Sequence, residues 1–184
     1  MEYSNLDIES SYRENDLGRT LYTLVLAWQP QTIVEFGTLY GYSTVAMAMA
    51  LDKLGRGKIK AYDLFENYQF KHPTRDQLTK NLAAYDVSKY VDVQEMDLNQ
   101  WLKRPEPFDL LHIDVSNKGD TLKNVYDSLR QYLPRGSRII FEGGSRERDA
   151  VKWMREYGCV PITGSVPYVI VDDRFPSLSL ILAQ

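Results

Sequence analysis

From residue 17 onward the apolar positions fall into two alternating rhythms. Leu17, Leu21, Leu24, Val25 and Trp28 recur at helical spacing, and Pro30 follows where a helix has to stop. Thr32-Ile33-Val34-Glu35-Phe36 is then a compact run without clean alternation, closed by Gly37, as expected of a strand buried on both faces. The rhythm repeats. Residues 42–53, rich in Ala and Met, predict a helix, and Lys58-Ile59-Lys60-Ala61-Tyr62-Asp63, after the turn Gly55-Arg56-Gly57, predicts a second strand. Thr74 with Gln77 three residues on resembles a capping box, and Leu78 and Leu82 give the helix behind it an apolar face. Residues 90–96, 108–114 and 137–141 predict a third, fourth and fifth strand. Leu122, Val125, Tyr126, Leu129 and Leu133 stripe a helix that Pro134 and Gly136 terminate, and Ala150, Val151 and Met154 stripe another. Two apolar runs, 168–171 and 178–182, flank the turn-like Asp172-Asp173-Arg174-Phe175-Pro176.

Strands separated by helices need crossover connections, so the predicted fold is α/β: a doubly wound, mostly parallel sheet with helices on both faces. The last two runs lack an intervening helix and predict an antiparallel hairpin at one edge. No repeat, low-complexity tract or Pro/Gly/Ser-rich linker divides the chain, so the 184 residues read as a single domain, 1–184, with residues 1–15 a polar N-terminal arm.

Composition narrows the function. With 22 Lys and Arg against 25 Asp and Glu, the formal charge is −3 and no long basic cluster exists, which disfavours a nucleic-acid surface built on phosphate neutralisation. No uncharged run reaches the roughly 18 apolar residues of a membrane span. The acidic start, Met1-Glu2-Tyr3, does not resemble a secretory signal, and the single cysteine, Cys159, suits a reducing compartment and reads as a small apolar side chain near a strand. A soluble cytoplasmic protein is expected. Two histidines and one cysteine, far apart, make no zinc cluster, and no metal site is predicted.

In an open α/β sheet, ligands bind beyond the carboxyl ends of the strands. Those ends carry Glu35 with Gly37, then Asp63, Asp97, Asp114 and Glu142, so each strand ends in a carboxylate. Gathered carboxylates repel one another unless a hydroxyl-rich or cationic partner compensates them. The first turn, Glu35-Phe36-Gly37-Thr38-Leu39-Tyr40-Gly41-Tyr42-Ser43, has glycines that permit positive φ and close approach of a ligand. A dinucleotide fingerprint G-x-G-x-x-G would put glycine at Leu39 and Tyr42 as well, and the phosphate-cradling G-x-x-x-x-G-K-[ST] is missing. What remains suits a nucleoside without a polyphosphate.

The stretch V-E-F-G-T-L-Y-G-Y-S-T from Val34 resembles the first motif of class I S-adenosylmethionine-dependent methyltransferases. F-D-L-L-H-I-D-V-S-N from Phe108 and L-P-R-G-S-R-I-I-F-E-G-G from Leu133 are similar to the fourth- and fifth-strand segments of their small-molecule O-methyltransferase branch. The resemblance implies a seven-stranded sheet of order 3-2-1-4-5-7-6 with S-adenosylmethionine as cofactor. It implies that Gly37, Thr38 and Gly41, with Tyr42 and Ser43 behind them, line the methionine portion, that Glu35 faces the α-ammonium, that Asp63, with Leu64 beside it, accepts from the ribose, and that Asp97 and Leu98 meet the adenine. Asp114 would stand between cofactor and acceptor.

Transfer to a hydroxyl needs a base or a metal to take the proton. Relatives with an I-D-x-S-H segment carry histidine where this chain has Asn117 after Ser116, and metal-dependent branches offer paired acids where only Glu142 precedes Gly143 and Gly144. Asp114 is therefore the expected catalytic residue, with Glu142 as helper; the competing reading is that Asp114 caps the loop before the Lys118 helix. His112 reads as a packed strand residue and His72 as exposed. Phe65, Tyr68 and Phe70 read as ordinary packing rather than a lid. Lys103-Arg104 and Arg146-Glu147-Arg148 read as solvated surface, the latter arginines offset by Glu147 and Asp149. The function expected is methyl transfer from S-adenosylmethionine to a small-molecule acceptor, on a hydroxyl. The alternatives are a catalytically silent cofactor-binding module and, more remotely, a nicotinamide-dependent oxidoreductase. A homo-oligomer stays open.

Overall fold

The computed structural model describes residues 2–69, 72–116, 118–131, 133–172 and 175–182, of which 172 and 175–177 by backbone alone. Asn117 and Phe70, both singled out above, lie outside the described residues, as do Asp173 and Arg174 of the expected turn. Seven strands form one sheet, β1 (Thr32–Phe36), β2 (Lys58–Asp63), β3 (Val91–Glu95), β4 (Leu110–Ile113), β5 (Arg138–Glu142), β6 (Val169–Asp172) and β7 (Phe175–Leu182), in the order β3-β2-β1-β4-β5-β7-β6. The helices are α1 (Leu17–Trp28), α2 (Tyr42–Leu54), α3 (Arg75–Ala84), α4 (Leu98–Trp101), α5 (Gly119–Leu129), α6 (Arg146–Asp149) and α7 (Lys152–Glu156). The predicted strand order and the antiparallel edge are both present.

The chain divides into two compact units, Met1–Leu98 and Asn99–Gln184. In the first, β1 pairs parallel with β2 and β2 with β3, in registers that align Phe36 with Tyr62 and Asp63 with Glu95. Ile33, Val34, Phe36, Ile59 and Ala61 are buried in these strands. Helix α2 is buried on every side from Tyr42 to Leu51, as an all-round apolar helix must be, and packs against α1. The polar N-terminal stretch contributes its own apolar residues, for Leu6 and Ile8 are buried, Tyr3 lies 5.1 Å from the Tyr22 ring, and the Asp7 amide donates to Tyr85 Oη. The predicted capping box closes α3, with the Gln77 amide on the Thr74 side chain and the Thr74 amide on Gln77.

In the second unit β4 runs parallel to β5, aligning Ile113 with Phe141, while β5 and β6 pair antiparallel with β7. Four expectations are corrected here. Helix α5 ends at Leu129, short of Leu133 at the end of the apolar stripe, a residue that the following Pro134 disfavours in the α region. Of the stripe of Ala150, Val151 and Met154 only Met154 is helical: Ala150 and Val151 lie in the break between α6 and α7, where Val151 turns extended (φ −61°, ψ 149°). Phe175 and Pro176, read as turn, begin β7. Cys159 is half-buried in the segment after α7, its amide on the Met154 carbonyl, rather than beside a strand. Among the described residues no helix is long and apolar enough to cross a membrane.

Candidate active site

Residue Glu35 occupies the fourth position of β1 and is fully buried, with Ser43 Oγ donating to its Oε1 at 2.5 Å. Burying a carboxylate costs several kcal/mol before any pairing offsets it, roughly the strength of several ordinary hydrogen bonds, so a core position held by Glu where Val would pack better points to function. The chain then leaves β1 through Gly37 (φ 85°), Leu39 (φ 46°) and Gly41 (φ 89°). The Gly37 amide continues the ladder onto the Tyr62 carbonyl, and the Gly41 amide closes a turn on Thr38. Leu39 thus takes a glycine-like conformation without being glycine, its side chain turned outward, 41% exposed.

That conformation is held from the end of β2. Asp63, 7% exposed, accepts at Oδ2 from the Thr38 amide (2.7 Å), Thr38 Oγ1 (3.1 Å) and the Leu39 amide (3.1 Å). At Oδ1 it accepts from the Leu64 amide (2.7 Å) and the Phe65 amide (3.4 Å), and meets His72 Nε2 at 2.8 Å. A carboxylate offers about four lone-pair sites; in this structure the protein itself fills them. Sequence reasoning placed this carboxylate at the end of β2, where it stands, and missed its partners. His72, expected to be exposed, has a side chain 12% exposed and sits 5.0 Å from the Tyr68 ring. Its place just before α3, in the loop that leaves the carboxyl end of β2, was the signal available.

Two of the predicted loop residues serve the protein's own packing. A Cβ on Gly41 would lie 2.4 Å from Leu78 Cδ1, so this glycine admits α3. Tyr42, expected at the cofactor, donates its hydroxyl to Asn5 Oδ1 (2.9 Å) and accepts from the Gly18 amide (3.4 Å), which ties it to the N-terminal stretch and α1. Burial raises its phenol above the ordinary value. Asp97 is half-buried two residues past β3, and Leu98 is buried at the start of α4. Phe65 is buried, whereas Tyr68 is 40% exposed.

The residues fit a phosphate-free nucleoside carrying an amino-acid group. Helix α2 has no side-chain cap at its N-terminus, which leaves backbone N–H donors for a carboxylate. Thr44 Oγ1, in its first turn, is buried and has no hydrogen-bond partner among the described residues. The buried Glu35 supplies the opposite charge.

The second unit holds the other two acids. The register that pairs Ile113 with Phe141 brings Asp114 and Glu142 side by side at the ends of β4 and β5. Asp114 is half-buried, and His112 is buried within β4, as predicted. Glu142 is engaged: Arg148 Nε lies 3.2 Å from its Oε1 and Nη2 3.4 Å from its Oε2, while the guanidinium sits 5.9 Å over the Trp153 ring. Arg148 is therefore not solvated surface, and Asp149 does not offset it, since that carboxylate accepts from the amides of Ile162 (3.0 Å) and Thr163 (2.9 Å). Among the described residues no three His, Cys, Asp or Glu side chains could hold a metal ion together.

A family model described as a methyltransferase domain matches residues 34–142, more than half of the chain and all of the stretch from Glu35 to Glu142. The chain belongs to that family, and the oxidoreductase alternative falls. An O-methyltransferase from Bacillus cereus in complex with SAH superposes with a TM-score of 0.65 at 19% identity, covering 98% of this chain and 84% of that one. Cofactor-bound Rv0187 from MTB gives 0.64 at 24% identity, covering 98% and 84%. The O-methyltransferase TomG from Streptomyces achromogenes, in complex with SAM, gives 0.61 at 18% identity, covering 97% and 92%. At these identities the likeness is one of fold. No curated protein matches the chain.

Proposed function

We propose that this chain binds S-adenosylmethionine and transfers its methyl group to a hydroxyl of a small-molecule acceptor. The buried Glu35–Ser43 pair behind the Gly37–Gly41 turn, in a chain of a methyltransferase family, carries the reading. When bound, the cofactor supplies a methyl carbon on a sulfonium, open to in-line displacement. Glu35 faces the α-ammonium, directly or through water, and the uncapped start of α2, with Ser43 and Thr44, receives the carboxylate. Gly37, Thr38 and Gly41 line the methionine portion, Asp63 and Leu64 the ribose, and Asp97 and Leu98 the adenine. Tyr42 works from behind, fixing the start of α2 to the N-terminal stretch. Much of the rate of such a displacement comes from holding the acceptor oxygen in line. Asp114 takes the acceptor's proton, since Glu142 is already engaged by Arg148.

Calorimetric titration with S-adenosylhomocysteine tests the core of this reading, and absence of binding overturns it. For the acceptor, a panel of small hydroxyl compounds is assayed for methylated product. Asp114→Asn is expected to lower turnover at least tenfold, the low end of general-base effects, with cofactor affinity unchanged; unchanged turnover removes Asp114 from the chemistry. The engaged state of Glu142 favours one rival, a binding-only module, which predicts cofactor affinity and no product from any acceptor.

A further inference from the structure

Among the described residues Asp63 receives six hydrogen-bonding contacts, and they sort into two kinds. Four come from backbone amides, of Thr38 and Leu39 on Oδ2 and of Leu64 and Phe65 on Oδ1. These fix the plane of the carboxylate and cannot leave without undoing the turns on either side. The other two come from side chains that can rotate away: Thr38 Oγ1 on Oδ2 at 3.1 Å and His72 Nε2 on Oδ1 at 2.8 Å. Each oxygen therefore carries one exchangeable donor. A vicinal diol presents the same pattern, two O–H donors that reach the two oxygens of one carboxylate.

We infer that His72 and the Thr38 hydroxyl hold the places of a nucleoside's two ribose hydroxyls on Asp63, and that the nucleoside binds by displacing the imidazole. The inference rests on the proposed function and adds to it the residue that must move. His72 is nearly buried at rest, so its contact with Asp63 is a packed feature and not a chance encounter of surface groups. Its Nε2 acts as donor, which assigns the proton to that nitrogen. The exchange is donor for donor, so it leaves no buried carboxylate oxygen unsatisfied in either state. The imidazole then acts as a competitor, and the apparent affinity for the nucleoside is reduced by the fraction of molecules in which it occupies the site.

The experiment is a calorimetric titration of the full chain with S-adenosylhomocysteine and with its 2′-deoxy analogue, alongside NMR of the histidine rings. The chain has only two histidines, so His72 is distinguished from His112 by a single substitution. His72→Ala is expected to bind S-adenosylhomocysteine about five-fold tighter, the equivalent of removing one competing net hydrogen bond. The 2′-deoxy analogue, which fills one of the two places, is expected to bind both proteins more weakly than the parent. His72→Gln keeps an N–H donor and is expected to stay near wild type; it also serves if the alanine variant does not fold. In the wild-type protein the His72 ring resonances should shift on saturation while those of His112 stay. Equal or weaker binding by His72→Ala, or His72 resonances that do not move while the ligand is bound, overturns the inference and leaves the cofactor reading intact. No binding by any variant overturns the cofactor reading itself.

Discussion

Position 41 meets two demands at once. Its φ of 89° disfavours any side chain, and a Cβ there would strike Leu78. Gly41→Ala is expected to cost about 2–3 kcal/mol, strain and overpacking together, read as a lower urea midpoint at unchanged slope. Adding Leu78→Ala should not restore stability, since it relieves the contact and not the backbone. Asp63 is the complementary case, a single side chain on which two turns converge. Asp63→Asn replaces an all-acceptor group by one with half the acceptors and two donors, facing amides that can only donate. The expected loss is about 3 kcal/mol, the sum of one or two buried amides left unpaired, with the Thr38–Leu39 amides exchanging faster with solvent. The sequence made Asp63 visible because a strand end is a fixed place in this kind of sheet. Its partners were not visible, since Thr38, Leu39 and His72 reach it only after two loops have closed.

Among elements, the N-terminal stretch was the least legible. Its polar composition hid Leu6 and Ile8, two apolar residues too few to show a period, and its anchoring depends on two phenols. Tyr3 donates to Asp16 Oδ1 at 2.9 Å beneath the Arg19 guanidinium, and Tyr42 donates to Asn5. Burial first, and then the bond to Asp16, hold the Tyr3 phenol well above its ordinary value, and burial raises that of Tyr42. A phenol kept neutral by the fold adds stability that is complete below pH about 10 and is lost as the pH rises beyond it, where the unfolded chain ionises first. Thermal midpoints measured between pH 8 and pH 11 should therefore fall more steeply for the wild type than for Tyr3→Phe. The α6–α7 region shows a different limit. Apolar spacing alone joined two helices, because a break in the backbone at Val151 leaves the stripe unchanged. Charge counting likewise assigned Arg148 to the surface, although its partner, Glu142, is near only once β5 and α6 are in place. Arg148→Met should lower stability by about 1–2 kcal/mol, for a charged hydrogen-bond partner lost at a partly exposed site, as read by chemical denaturation.

At the scale of the whole chain, the parallel sheet and its antiparallel edge followed from the alternation of elements, because parallel neighbours need crossover connections and the last two runs have no helix between them, while the strand order followed only from the resemblance in three ordered segments. The family match over 34–142 spans the whole set of strand-end acids, from Glu35 to Glu142. What the alternation could not convey is that the chain partitions after Leu98. The ten positions assigned to the cofactor, from Glu35 to Leu98, precede that boundary, and Asp114, Glu142 and Arg148 follow it. Kinetics should respect the same line. Substitutions on its N-terminal side are expected to move the dissociation constant of S-adenosylhomocysteine, those on its C-terminal side the turnover number, so that a scan of variants sorted by residue number would separate a recognition half from a reacting half.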